Sequence, residues 1–169
     1  SLGAFGHVNP TLELVTELVR RGVRVTYFCT EGFRTIVEPT GAQFVAVPSW
    51  MEAHAGESGE DKSDVAATVP FLFLHEAEAY LEPVLAVLKE DRPDAIVHDF
   101  AGIAGTLAAD VLGVPNVMLY TSYPANGEYS VAAGFETVSP DHPLRVAADE
   151  LADRFVGQYG CRKMAVKEI

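Results

Sequence analysis

The sequence predicts an α/β fold in which a parallel β-sheet is flanked by helices. Short apolar strands alternate with amphipathic helices along the chain, which is the pattern of a parallel sheet with helices on both faces. The length of 169 residues corresponds to one domain, and 49% hydrophobic residues are enough to build its core. Such sheets bind ligands at the carboxyl ends of their strands, so functional residues are sought at that edge.

The first helix is predicted over residues 10–21, where apolar residues recur at helical spacing. Asn9 is a suitable N-cap, Pro10 suits the first helical position, and Gly22 provides a left-handed stop. Residues 1–5 resemble the last fragment of a first strand. Because that strand is central in doubly wound sheets, we expect the sequence to start after the natural start of the protein.

The remaining elements follow from β-branched and aromatic runs, from apolar periodicity and from Gly and Pro stops. Strands are predicted over 23–29, 43–47, 94–98 and 116–120. Helices are predicted over 31–38, 66–90, 102–112 and 144–158, and loops over 49–63 and 121–142.

Charge and cysteine content exclude several classes of protein. Lys plus Arg total 12 and Asp plus Glu total 24, and the net charge of −12 argues against a nucleic-acid or anionic-membrane surface. Cys29 and Cys161 are too few for a disulfide framework and too far apart for a zinc site. With no transmembrane run and no signal peptide visible, the sequence predicts a cytoplasmic protein without a metal site.

His7 is the first candidate for chemistry. It follows Gly6 between a predicted strand end and a predicted helix start, where Val8 and Asn9 would supply amides that suit an anion such as phosphate. An ordinary imidazole pKa of about 6.5 makes His7 a plausible general base near neutral pH. The alternative is a rim histidine without a special role.

Asp99 is the second candidate, because it follows a buried strand and should lie at the same rim of the sheet. Its carboxylate could hydrogen-bond one ring nitrogen of His7, fix the tautomer and stabilise the imidazolium formed by proton abstraction. The alternative is that Asp99 only caps the helix that begins near Ala101.

Large apolar side chains near the rim could line an apolar ligand pocket, and ordinary core packing is the alternative. These residues are Phe5, Trp50, Met51, Phe100 and Tyr123.

Several segments, taken in order, resemble a known family. They are Gly6-His7-Val8-Asn9-Pro10-Thr11-Leu12, the stretch from Leu18 to Tyr27, Gly41-Ala42 with Phe44 and Pro48, Asp94 to Phe100, Gly113-Val114-Pro115 and Tyr120-Thr121-Ser122. This combination resembles the start of the macrolide-type glycosyltransferases of the GT-B superfamily, which glycosylate antibiotics and other natural products.

The resemblance implies a two-domain inverting hexosyltransferase. Its N-terminal Rossmann-like domain would bind a hydrophobic acceptor such as a polyketide, and its C-terminal domain a UDP- or TDP-sugar. In that family the histidine after the first strand is the general base and a later aspartate orients it, which matches His7 and Asp99. Gly6, Val8 and Asn9 would then form a loop near the donor, and no metal or other cofactor is expected.

The family's donor-binding signature is not found in these residues, so residues 1–169 are expected to be a partial acceptor-binding domain that is inactive alone. Two alternatives remain. One is a stand-alone binding module of the same fold. The other is a dinucleotide-dependent oxidoreductase, because residues 1–6 partly fit G-x-G-x-x-G and Glu31 follows the second strand.

Overall fold

A computed structural model describes residues 1–55, 64–121 and 137–162. The helices are α1 (Phe5–Arg20), α2 (Arg34–Val37), α3 (Trp50–Ala53), α4 (Val65–Glu90), α5 (Ile103–Leu112) and α6 (Pro143–Tyr159). The strands are β1 (Thr26–Cys29), β2 (Gln43–Ala46), β3 (Ile96–Asp99) and β4 (Asn116–Leu119). The predicted α/β fold with parallel strands flanked by helices is confirmed.

Within the described residues the strands form two parallel pairs rather than one continuous sheet. Strand β1 pairs with β2, and β3 pairs with β4. The N-terminal residues contact both pairs: the Ser1 amino group donates to the Phe28 oxygen at 2.9 Å, and the Leu2 amide donates to Asp99 Oδ2 at 3.1 Å. The predicted strand fragment over residues 1–5 is therefore wrong, because those amides bond to a strand end and to a side chain instead of forming a ladder.

Two apolar clusters hold the elements together. The smaller cluster joins α1 to β1 through residues such as Val8, Val15 and Tyr27. The larger cluster joins α4, α5 and α6, with Leu81 and Leu107 almost completely buried. The opposite face of β1 also packs against the larger cluster, so this strand has apolar neighbours on both faces, as strands of parallel sheets do.

Helix α1 begins at Phe5, five residues earlier than the sequence predicts. Ala4 is the N-cap, and Pro10 lies inside the helix rather than at its first position. The predicted cap at Asn9 is wrong because Val8 is fully buried in the smaller cluster, and this burial extends the helix past the local start signal. The predicted end is confirmed: Gly22 has a φ of 81°.

The chain after β2 also differs from the prediction. A short helix, α3, occupies residues 50–53, where a loop was expected. The Ser49 hydroxyl accepts a hydrogen bond from the Glu52 amide and caps this helix. None of the helices in the described part of the chain combines the length and hydropathy that crossing a membrane requires.

Candidate active site

The carboxylate of Asp99 collects hydrogen-bond donors from three parts of the chain. Its Oδ1 accepts the His7 Nδ1–H at 2.9 Å and the Ala101 amide at 3.0 Å. Its Oδ2 accepts the Ser1 hydroxyl at 3.0 Å and the Leu2 amide at 3.1 Å. Asp99 therefore bonds both to His7 and to the turn before α5. The alternative that Asp99 caps a helix beginning near Ala101 is wrong, because α5 begins at Ile103 with Gly102 as its N-cap and has no side-chain cap.

Asp99 is ionised in this arrangement. It is the last residue of β3 and only 1% exposed. Burial alone raises the pKa of Asp99, but the hydrogen bonds from His7 and from the Leu2 amide together hold it well below its usual range. A buried carboxylate with charge-assisted partners is a fixed negative charge at the carboxyl end of the strand.

His7 lies in the first turn of α1 with its side chain 18% exposed. An ionised carboxylate can only accept hydrogen bonds, so the His7 nitrogen that faces Asp99 carries the proton. In the neutral ring the lone pair is then on Nε2, on the side away from Asp99. The pair has the geometry of a base oriented by a carboxylate, in which the base could remove a proton from a bound molecule.

A second histidine, His98, contacts the backbone of Asp99. His98 of β3 is 6% exposed; its Nδ1 lies 2.9 Å from the Asp99 backbone oxygen and its Nε2 lies 3.1 Å from the Thr106 hydroxyl of α5. Burial lowers the pKa of His98, so the ring is neutral near pH 7. The Asp99 oxygen is an acceptor, so Nδ1 of His98 donates to it and Nε2 accepts from Thr106.

Aromatic rings lie beside His7. The ring of Phe100 has its centroid 5.3 Å from that of His7. Tyr120 is nearly parallel to Phe100 at 6.3 Å, and Phe73 of α4 meets Phe100 edge-on at 6.4 Å. The structure therefore brings Phe100 together with the His7–Asp99 pair and gives that pair an apolar border.

Trp50 belongs to a different aromatic group, between α3 and α4. Its ring is nearly parallel to those of His54 at 4.2 Å and His75 at 4.8 Å, and it meets Phe71 edge-on at 5.9 Å. Neighbouring Met51 bonds through its backbone: its amide donates to Glu76 Oε2 at 3.0 Å. These contacts place both residues in a helix anchored on α4, not in the expected loop.

The expected donor loop also needs correction, because Gly6, Val8 and Asn9 lie in α1. Val8 is fully buried, and its amide donates to the Ala4 oxygen at 2.9 Å, so this residue packs in the core. Gly6 and Asn9 are exposed, and a role for them near a donor stays a prediction. Phe5 is 67% exposed and meets the Phe33 ring edge-on at 5.1 Å. Tyr123 lies outside the described residues.

Sequence reasoning missed four residues that support the pair. Ser1 and Leu2 donate to Asp99, and no local pattern marks them. Thr106 bonds to His98, and Gly105 lets α5 approach, since a Cβ added there would lie 2.5 Å from His98 Cβ. The small-residue run of α5 signals a close helix–strand contact, but not which residue it faces.

Among the described residues no cluster of side chains has the composition of a metal site.

Comparison with known proteins identifies relatives of the whole described region. No family model matches the chain. The chain is 33% identical over 153 residues to NDP-glycosyltransferase YjiC of Bacillus licheniformis, which covers 89% of the chain and 37% of that protein. It is 35% identical over 122 residues to the oleandomycin glycosyltransferase of Streptomyces antibioticus, covering 70% of the chain and 27% of that protein.

The fold leads to the same group of proteins. The crystal structure of CalG4, the calicheamicin glycosyltransferase, superposes with a TM-score of 0.83 at 30% identity. That match covers 99% of this chain and 43% of CalG4. The chain is thus homologous to macrolide and other antibiotic glycosyltransferases, has the fold of the N-terminal part of a GT-B glycosyltransferase, and spans well under half the length of the relatives it matches.

Proposed function

We propose that this chain is the acceptor-binding part of an inverting glycosyltransferase that transfers a sugar from a nucleotide sugar to a hydroxyl group of a hydrophobic natural product. The observation that carries the proposal is the 2.9 Å hydrogen bond between His7 Nδ1 and Asp99 Oδ1. It leaves Nε2 of a partly exposed imidazole as the basic atom, at the carboxyl end of a parallel strand, where such folds bind ligands.

The proposed step is a single displacement. His7 Nε2 takes the proton of the acceptor hydroxyl while the oxygen forms a bond to the anomeric carbon of the sugar. The bond from that carbon to the diphosphate oxygen breaks, and its electron pair leaves with the nucleoside diphosphate. Attack from the side opposite the leaving group inverts the anomeric centre. Asp99 stabilises the imidazolium, and the step uses no metal or other cofactor.

The substrate classes follow from the relatives and from the border of the site. One relative is named an NDP-glycosyltransferase, which suggests a nucleoside-diphosphate sugar as donor, and two others are named for oleandomycin and calicheamicin, which suggests a natural-product acceptor. In this chain the Phe100 and Tyr120 rings give the surroundings of His7 an apolar character that suits a hydrophobic acceptor. We propose a UDP- or TDP-sugar as the donor.

The nucleotide sugar is assigned to a second, C-terminal domain. The chain matches 37% of the length of the NDP-glycosyltransferase YjiC, which leaves room for such a domain in a protein of that size. On this proposal residues 1–169 by themselves bind the acceptor without turning it over. The relatives favour this assignment over the oxidoreductase alternative, whereas a stand-alone binding module is an outcome that the experiment below distinguishes.

The test replaces His7 in the full-length protein. His7→Ala should reduce transfer by about 10²- to 10⁴-fold, the contribution of a general base. Acceptor affinity, measured by calorimetry, should stay close to wild type, and NMR of the wild-type product should show an inverted anomeric configuration. Glu13→Ala, an exposed change on the same helix, is the matched control. Turnover near wild type in His7→Ala would contradict the proposal, and acceptor binding without any turnover in the wild type would indicate a binding module.

Asp99→Asn tests the second member of the pair. An amide offers one acceptor oxygen where the carboxylate offers two, and its NH₂ would face donors from the turn or from residues 1–2. We expect turnover to fall by at least about 10²-fold and the free energy of unfolding to fall by about 2–4 kcal/mol. Loss of stability without loss of turnover would mean that Asp99 has a structural role and no role in the reaction.

A further inference from the structure

Three donor–acceptor contacts connect α5 to the candidate base. The Thr106 hydroxyl lies 3.1 Å from His98 Nε2, His98 Nδ1 lies 2.9 Å from the Asp99 backbone oxygen, and Asp99 Oδ1 lies 2.9 Å from His7 Nδ1. Only the last contact joins two residues that the sequence assigns to the proposed reaction, and the first involves neither of them.

The backbone of Asp99 is fixed as fully as its side chain. Its carbonyl oxygen accepts the His98 Nδ1–H and also the Gly102 amide, at 2.8 Å. A carbonyl oxygen has two lone pairs, so both of its acceptor positions are filled. The peptide group after Asp99 is therefore held at its oxygen by His98 and by the turn into α5, and at the Phe100 amide by the Leu119 oxygen, to which this amide donates at 3.1 Å.

The two residues of α5 that face His98 act together. At position 105 any side chain would collide, because an added Cβ would lie 2.5 Å from His98 Cβ and 2.8 Å from its Cγ. Glycine therefore lets the helix come close enough for the next residue, Thr106, to reach the imidazole. Because Nδ1–H of the buried, neutral ring donates to the Asp99 oxygen, Nε2 carries the lone pair that accepts the hydrogen bond from the Thr106 hydroxyl.

We propose that His98, whose ring is held in place by Thr106, is a positioning residue that helps to fix Asp99 in the orientation in which its carboxylate meets His7. His98 touches no substrate and transfers no proton; it acts through the Asp99 backbone. The inference rests on the proposed function, in which the His7–Asp99 pair removes the acceptor proton. It adds Thr106 and Gly105 to the set of residues on which turnover depends.

The experiment compares Thr106→Val with Thr106→Ser in the full-length protein. Valine keeps the shape of threonine but removes the hydroxyl, so we expect kcat to fall about 3- to 10-fold, the value of one net hydrogen bond, with the acceptor KM unchanged. Serine restores the hydroxyl and should restore kcat. Ile103→Val, a buried change on the same helix that removes no hydrogen-bonding group, controls for a small loss of stability.

Imidazole ¹⁵N chemical shifts provide a readout that does not depend on turnover. They should show His98 in the Nδ1–H tautomer, and Thr106→Val should shift the signals of both His98 and His7. If His7→Ala abolishes turnover while Thr106→Val keeps the wild-type kcat, the inference is overturned. If His7→Ala remains active, the proposed function fails, and the ¹⁵N spectra alone decide: unchanged His7 signals in Thr106→Val overturn the positioning role and shifted signals support it.

Discussion

The indole ring of Trp50 and the imidazole ring of His75 lie almost parallel, with an interplanar angle of 23° and 4.8 Å between their centroids. This contact joins α3 to α4. Burial lowers the pKa of His75, so its ring is a neutral stacking partner near pH 7. With His54 and Phe71 also against the indole, Trp50 is held in one orientation before any ligand arrives.

A preorganised Trp50 should contribute to acceptor affinity rather than to the chemical step. Trp50→Ala removes the ring contacts and should raise the acceptor KM by about 2- to 10-fold with kcat unchanged, as expected for loss of binding common to the ground and transition states. The acceptor KM of Trp50→Phe should lie between those of the wild type and Trp50→Ala. Steady-state kinetics would test these effects on KM and kcat. Val146→Ala, an exposed apolar change on α6, is the control. An unchanged KM in Trp50→Ala would remove Trp50 from the acceptor site.

Gly105→Ala should destabilise the fold. The added Cβ would lie 2.5 Å from His98 Cβ, an atom fixed to the strand backbone that cannot turn aside, so α5 would have to move away from β3. We expect the free energy of unfolding to fall by about 1–3 kcal/mol in urea titrations.

Gly157→Ala is the matched control for that change. It lies inside α6, where an added Cβ meets nothing within 4 Å, and alanine there should stabilise the helix by about 0.5–1 kcal/mol. Equal effects of the two substitutions would show that helix propensity, and not the contact with His98, decides the outcome at Gly105.

The buried histidines predict how stability depends on pH. Burial lowers the pKa of both His98 and His75, so the unfolded chain binds protons more readily than the folded one. The contribution of these two histidines to the free energy of unfolding is complete above the histidine pKa of the unfolded chain, about 6.5. It is lost as the pH falls below that value, by up to about 1.4 kcal/mol per pH unit for each proton. Unfolding in urea at pH 7, 6 and 5 should show this fall.

In His98→Asn the free energy of unfolding should change less with pH than in the wild type, even if the variant is less stable at pH 7. The reason is that the variant has no group to titrate at this position. Parallel stability curves for wild type and variant between pH 7 and pH 5 would show that His98 binds protons equally in the folded and unfolded chains, and would contradict the expectation.

The contact between His7 and Asp99 was predictable from the sequence, whereas the hydrogen bonds around the pair were not. The rule that ligands bind at the carboxyl ends of parallel strands placed His7 and Asp99 at one edge although 92 positions separate them. The start of α1 was misplaced because Asn9 and Pro10 form a local cap signal, while burial of Val8 against β1 favours an earlier start. Tertiary burial of this kind leaves no trace in a local pattern.

The contacts that reach Asp99 from Ser1 and Leu2 lie further beyond sequence reasoning. They depend on where residues 1–2 pack relative to β3, and a serine next to a leucine has no property that predicts it. The role of His98 was hidden for a related reason. A histidine beside an aspartate can face either side of a strand, and only the approach of α5 at Gly105 decides that its ring bonds to Thr106.

The four donors that surround the Asp99 carboxylate limit how many protons the proposed reaction can move. Each oxygen already accepts two hydrogen bonds, so this side chain can balance a positive charge on His7 but has no open position in which to hold a proton. The proton taken from the acceptor therefore stops at His7 Nε2. The proposed reaction is accordingly a one-proton event, after which His7 would release that proton to water as the products leave.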